Sequence, residues 1–127
     1  MQNSYTPGKH LLLDLYQARN LSDLSCVEQA LMEAASACDA IVLQKNFHSF
    51  GEEQGITGML LLAESHISIH TWPESHFAAV DIFMCGNCDP NLALAPIKKH
   101  FCPERVDVRE FDRGLSLIHF SDPTRLR

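Results

Sequence analysis

Four apolar or β-branched runs follow one another closely in the middle of the chain: Ala40–Phe50, Ile56–Ala63, Ser65–Trp72 and Phe77–Cys85. The segments between them are too short for helices, so few βαβ intervals are possible. Gly51-Glu52-Glu53-Gln54-Gly55 reads as a polar turn, and Pro73 stops the third run. In the first run Ile41, Leu43, Lys45 and Phe47 alternate with Val42, Gln44, Asn46 and His48. Upstream, His10–Gln17 reads as another strand. Downstream, Arg105–Phe111 alternates like an edge strand and Leu115–Phe120 is read as a last one, before a tail from Ser121 to Arg127. Only two helices interrupt this series. The pattern predicts an α+β fold, a two-layer α/β sandwich with a mainly antiparallel sheet and its helices on one face. The other face then needs a cover, and a second copy of the chain is the simplest one.

The first helix is announced by Ser25-Cys26-Val27-Glu28, which has the form of a capping box. Val27, Ala30, Leu31, Ala34 and Cys38 follow at helical spacing, and Asp39 closes the segment. Asp89-Pro90 marks a second helix start. Pro96 falls inside that helix, where it is expected to cost about 3 kcal/mol or to force a kink.

Composition narrows the classes of function. At 127 residues and 46% apolar, the whole chain, 1–127, is expected to be a single globular domain with a real core. A net charge of -6 argues against nucleic acid as a partner. The longest apolar run, Met59–Ala63, is far short of a membrane span, and Met1-Gln2-Asn3-Ser4 leads into no signal-like stretch. A cytoplasmic location is expected, with the five cysteines as free thiols.

The chemistry-bearing residues cluster between Gly55 and Cys88. His66, His70, His76 and the Cys85-Gly86-Asn87-Cys88 pair are zinc-ligand types. However, His66 and His70 fall in a β-rich segment without the glutamate of a helical zinc-protease motif, and a second C-x-x-C is missing. No metal site is therefore expected. A redox role for the C-x-x-C is equally weak, because it does not open a helix after a strand.

A different reading starts from Leu61-Leu62-Ala63-Glu64-Ser65-His66 running on to His70-Thr71-Trp72-Pro73-Glu74. These strings closely resemble the prokaryotic S-adenosylmethionine decarboxylase family. So do Phe47-His48-Ser49-Phe50, Gly55-Ile56-Thr57-Gly58, Ala78–Gly86 and Arg113-Gly114, and the resemblance covers roughly residues 9 to 114. It implies an autocatalytic cleavage between Glu64 and Ser65. The serine hydroxyl attacks the Glu64 carbonyl carbon and the peptide becomes an ester. Loss of the serine α-proton expels the Glu64 carboxylate, and loss of ammonia leaves a pyruvoyl group. The products would be chains 1–64 and 65–127. A pyruvoyl carbonyl forms a Schiff base with a substrate amine and acts as an electron sink for decarboxylation.

The resemblance also assigns roles. His70 is the base that takes the serine α-proton, and Thr57, where the family has a serine, supports the tetrahedral intermediate. Cys85 reprotonates the substrate carbon. Phe50 and Trp72 flank the adenine and the sulfonium, and Glu74 binds the ribose hydroxyls. A cation beside an aromatic face gains roughly 0.5–2 kcal/mol. The implied product is the aminopropyl donor for spermidine, a polyamine. The acidic turn with Glu52 and Glu53 leaves an alternative substrate class open, arginine or ornithine, whose distal cation those carboxylates could pair. A catalytically dead binding partner of a processed homologue is a third reading, against which Ser65, His70 and Cys85 all argue.

Spacing adds a constraint. On a straight strand Ser65 and His70 lie roughly 16 Å apart, and an odd separation places them on opposite faces. Either the chain bends at Ser65, or each site takes its His70 from a second protomer. A homodimer with shared sites is the expectation.

Overall fold

The computed structural model describes residues 8–114. Six strands and two helices alternate along the chain: β1 (Gly8–Tyr16), α1 (Leu24–Ala37), β2 (Val42–Ser49), β3 (Ile56–Leu62), β4 (Ser65–Trp72), β5 (Phe77–Met84), α2 (Leu94–Phe101) and β6 (Arg105–Arg113). The strands form one sheet in the order β2-β3-β4-β5-β1-β6, and every neighbouring pair is antiparallel. The α+β sandwich expected from the sequence is what the structure shows. The strand read at Leu115–Phe120 lies outside the described residues.

One face of the sheet carries the core. Leu11, Leu13 and Leu15 of β1, Leu60 and Leu62 of β3, Ile67 and Ile69 of β4, and Val80 and Ile82 of β5 are all buried. Alternation along each strand puts them on the same side. Val27, Ala30, Leu31 and Ala34 of α1 and Ile97 and Phe101 of α2 cover them. Among the described residues no helix covers the opposite face. It exposes Met59, Leu61, Trp72 and Phe111, among half-buried polar side chains.

Three local expectations need correction. The cap of α1 is Asp23, whose carboxylate accepts from the Cys26 N–H at 3.1 Å, so the Ser25–Glu28 capping box does not form. Glu28 instead pairs with Lys45 of β2. Pro96 causes no kink. Pro90–Ala93 forms a short 3-10 turn capped by Asp89, and α2 begins after it, which puts Pro96 in the first turn. Amide groups there have no intrahelical acceptor, so proline forfeits nothing. Finally, a register shift between Val42 and Gln44 interrupts the alternation of β2. Val42 pairs with Leu62 and shares the helix-covered face with Lys45 and Phe47, while Leu43 is left exposed.

Thr71 ties the layers together beside the region of interest. It is 5% exposed, donates to the Leu21 carbonyl at 2.8 Å and accepts from the Ile56 N–H at 2.8 Å. The start of β3 is thereby pinned to the end of β4 and to the loop leading into α1. Gly55 permits this approach, because a Cβ there would lie 2.5 Å from the Thr71 carbonyl oxygen.

Candidate active site

The hairpin between β3 and β4 is as short as a hairpin can be. Leu62 pairs with Ser65, and Ala63-Glu64 make the turn. Glu64 adopts a left-handed backbone at φ 64°. A side chain other than glycine there stores strain on the order of 1 kcal/mol. That strain lies next to the Glu64–Ser65 peptide. Ser65 is half-buried at the first position of β4, and its Oγ accepts from the Cys85 N–H at 3.2 Å.

Cys85 follows the last residue of β5. Burial pushes its thiol up, the nearby Glu64 and Cys88 charges push it further, and the Ser65 contact acts in the opposite direction. A thiol that stays protonated at neutral pH can act as a proton donor. Glu64, Ser65 and Cys85 therefore form one group, joined at the start of β4.

The remaining candidates gather at the other end of that strand. Thr57 and His70 are direct cross-strand partners, with Thr57 Oγ1 and His70 Nδ1 3.1 Å apart. A cleft of about 300 Å³ opens beside them, lined by Phe50, Thr57, His70, Trp72 and Glu74 together with Gln54 and Gly55. The Trp72 ring lies 6.3 Å from His70 and 5.5 Å from Phe77. Phe50 stands edge-on to His48 at 4.6 Å. Glu74 belongs to the 3-10 turn Pro73–Ser75 that follows β4. Glu52 and Glu53 are exposed, and neither lines this cleft.

Ser65 and His70 thus occupy opposite ends of one unbroken strand. The turn precedes Ser65 rather than bending the chain between the two residues. Ile67, Ile69 and Thr71 face the helices, so His66, Ser68, His70 and Trp72 face the open side. Five strand steps amount to about 16 Å, beyond the reach of any proton transfer within a single chain.

The open face holds a further cluster that the strand alternation could have revealed. Asp81 is a lone acid in the otherwise apolar β5, and its carboxylate meets His10 of β1 and, at 3.8 Å, His66 Nε2. Arg113 of β6 donates to His10 Nδ1 at 3.0 Å. The chain Arg113–His10–Asp81 leads to His66, the residue after Ser65. Ligand atoms of His10, His66 and Asp81 lie within 4.8 Å of one another, the one such grouping among the described residues. Because Arg113 occupies Nδ1 as donor, the ring N–H of His10 is at Nε2 and points to Asp81. That arrangement is a hydrogen-bonded chain, in which His10 Nδ1 accepts from Arg113 and Nε2 carries the proton, so neither nitrogen offers a free lone pair to a metal. Of the histidines and cysteines weighed as zinc ligands in the sequence, His66 alone belongs to this grouping, and His70, His76, Cys85 and Cys88 do not.

Comparison with known proteins fits this geometry. Residues 9–114 match the model of the S-adenosylmethionine decarboxylase family, a span that includes both ends of β4. The chain belongs to the S-adenosylmethionine decarboxylase family. Among its relatives is the S-adenosylmethionine decarboxylase proenzyme of Methanococcus maripaludis strain C5, 42% identical over 85% of this chain and 90% of that protein. The proenzyme of Parasynechococcus marenigrum WH8102 is 45% identical over 84% of each. The crystal structure of the adenosylmethionine decarboxylase from Aquifex aeolicus VF5 superposes with a TM-score of 0.78 at 32% identity, covering 87% of this chain and 93% of that one. The chain thus spans nearly the full length of these decarboxylases.

Proposed function

We propose that this protein decarboxylates S-adenosylmethionine, giving the aminopropyl donor for polyamine synthesis, with a pyruvoyl group that it makes from its own Ser65. Membership of the decarboxylase family supports the reaction class and the substrate. Among the features of the site, the contact of Ser65 Oγ with Cys85 carries the most weight, since it sets a protonated thiol beside the residue that would become the prosthetic group. The residues fit that group: a half-buried serine at a strand start, preceded by a left-handed Glu64 in a tight turn.

In processing, the Ser65 hydroxyl attacks the Glu64 carbonyl carbon, and relief of the Glu64 backbone strain favours the shift. Thr57 supports the intermediate, and His70 then takes the serine α-proton. The finished pyruvoyl group supplies an electron sink for carbon dioxide loss. Cys85 returns a proton to the substrate carbon. Trp72 and Phe50 offer flat aromatic faces to the purine and the sulfonium, and Glu74 offers acceptors to paired ribose hydroxyls. Arginine and ornithine are disfavoured as substrates: the relatives are named for S-adenosylmethionine, and Glu52 and Glu53 stand outside the cleft.

The site is shared between two protomers. A second copy laid against the open face covers Met59, Leu61 and Trp72, and its own His70 end can meet the Ser65 end of its partner. Cytoplasmic residence completes the reading, supported by five cysteines that all remain free thiols. Among the described residues no helix is long and apolar enough to cross a membrane.

The test combines mass and turnover. Purified protein should resolve into two chains, the C-terminal one beginning with a blocked residue. It should release carbon dioxide from S-adenosylmethionine faster than from arginine or ornithine. A chain that stays intact on long incubation, or one that turns over only a basic amino acid, overturns the proposal.

A further inference from the structure

The reaction described above uses Cys85 but leaves Cys88, its partner in the Cys85-x-x-Cys88 pair, without a role. Cys85, Gly86, Asn87 and Cys88 form a closed turn in which the Cys88 N–H donates to the Cys85 carbonyl at 3.4 Å. The ends of such a turn are less than about 7 Å apart at Cα, and disulfides span about 4.4–6.8 Å. Gly86, at φ 69°, supplies the left-handed position, and no atom lies within 4 Å of where its Cβ would be. The turn therefore has room to adjust. Both thiols are half-buried rather than sealed in the core.

We infer that Cys85 and Cys88 are a reversible oxidation site, at which a small organic disulfide converts the two thiols into an intramolecular disulfide and stops decarboxylation. The inference rests on the role proposed for Cys85. The step balances. The Cys88 thiolate attacks one sulfur of the reagent and releases one thiolate. Cys85 loses its proton to that thiolate and attacks the Cys88 sulfur, and the second reagent sulfur leaves and takes up the proton that Cys88 lost. Two electrons pass from the protein to the reagent, which leaves as two thiols. Cys85 then carries no S–H and cannot protonate the substrate carbon.

Cys38 is the competing partner for Cys88, because their charges are close enough to interact. It is 2% exposed, its thiol donates to the Asp89 carbonyl at 3.5 Å, and burial pushes it up to about 11. It has little thiolate with which to attack. Only Cys85 shares a turn with Cys88.

Fully processed protein should be treated with glutathione disulfide, digested under non-reducing conditions and assayed in parallel. The expected result is a Cys85–Cys88 link, a C-terminal chain lighter by two hydrogens, and turnover lowered about tenfold or more, with recovery in dithiothreitol. Cys88→Ser should be active and should keep its activity in the oxidant. A Cys38–Cys88 link, no intramolecular link, or equal loss of activity in Cys88→Ser would each overturn the inference. So would a Cys85–Cys88 link without loss of turnover. Cys85→Ser assayed under reducing conditions separates the two readings. Full activity there removes the acid role of Cys85, whereas failure of the link to form leaves that role untouched.

Discussion

At its start β4 carries a serine held by one backbone N–H beside a half-buried thiol, next to a strained two-residue turn. At its finish it carries an exposed histidine paired with a threonine, above an open cleft of aromatic and acidic side chains. The first end has the bond-making groups, with its one histidine, His66, turned to the other face of the strand. The second has an imidazole, a hydroxyl and a cleft, far from Ser65. Neither is a complete active site, and the rigidity of a strand keeps them about 16 Å apart. In the dimer proposed above, two copies related by a twofold axis would solve the problem twice, once at each pairing of unlike ends.

The largest expected effect comes from removing the reacting centre. Ser65→Ala should remain one chain of 14.3 kDa by intact mass, with no measurable carbon dioxide release. Next comes His70→Ala, which removes the proposed base at the opposite end. Processing should slow by on the order of 10²–10⁴, with accumulated ester that hydroxylamine cleaves. The decisive comparison expresses Ser65→Ala and His70→Ala chains together. If unlike ends meet across protomers, verified heterodimers regain one processed site in two. No processed chain in such heterodimers would return both ends to a single protomer.

Cys85→Ala should process normally yet lose turnover by on the order of 10²–10³. The pH profile gives the sign independently. An acid works while protonated, so activity is present below its pKa and lost above it. Burial and the Glu64 and Cys88 charges raise the Cys85 thiol. Turnover in wild type should therefore hold through about pH 8.5, the ordinary thiol value, and fall only at higher pH. A fall beginning below that value would contradict the assignment. The smallest effect belongs to the binding surface. Glu74→Gln should raise KM about tenfold, roughly one lost charge-assisted hydrogen bond, with kcat nearly unchanged.

Much of this was legible in the sequence because strands announce themselves by alternation. β3, β4 and β5 lie within one residue of the runs that predict them, and the distance between Ser65 and His70 follows from strand rise alone. The capping box misled because Ser25 and Asp23 are both competent caps, and the choice depends on where the preceding loop, fixed by Thr71 to Leu21, delivers the chain. Pro96 misled because the 3-10 turn before α2 leaves no mark separate from a helix start. The Arg113–His10–Asp81 chain was out of reach because it joins three strands whose lateral order, with β1 between β5 and β6, is a property of the whole sheet. The lone Asp81 among apolar neighbours was its one local sign.

The sheet order has a further consequence once the Glu64–Ser65 bond is cut. The N-terminal fragment then owns β1, β2 and β3, and the C-terminal fragment owns β4, β5 and β6. Across the sheet the two polypeptides interleave: β2 and β3 from the first, β4 and β5 from the second, β1 from the first again, β6 from the second. The fragments share three hydrogen-bonded seams, so neither can leave without dismantling the other. The proposed cleavage would sever the backbone without loosening the body. It also changes what unfolding means, since strands that once found each other along a single tether must afterwards meet by diffusion. A cleaved protein would be easy to hold together and hard to reassemble, so its refolding should depend on concentration where that of the uncut Ser65→Ala chain, within each protomer, does not.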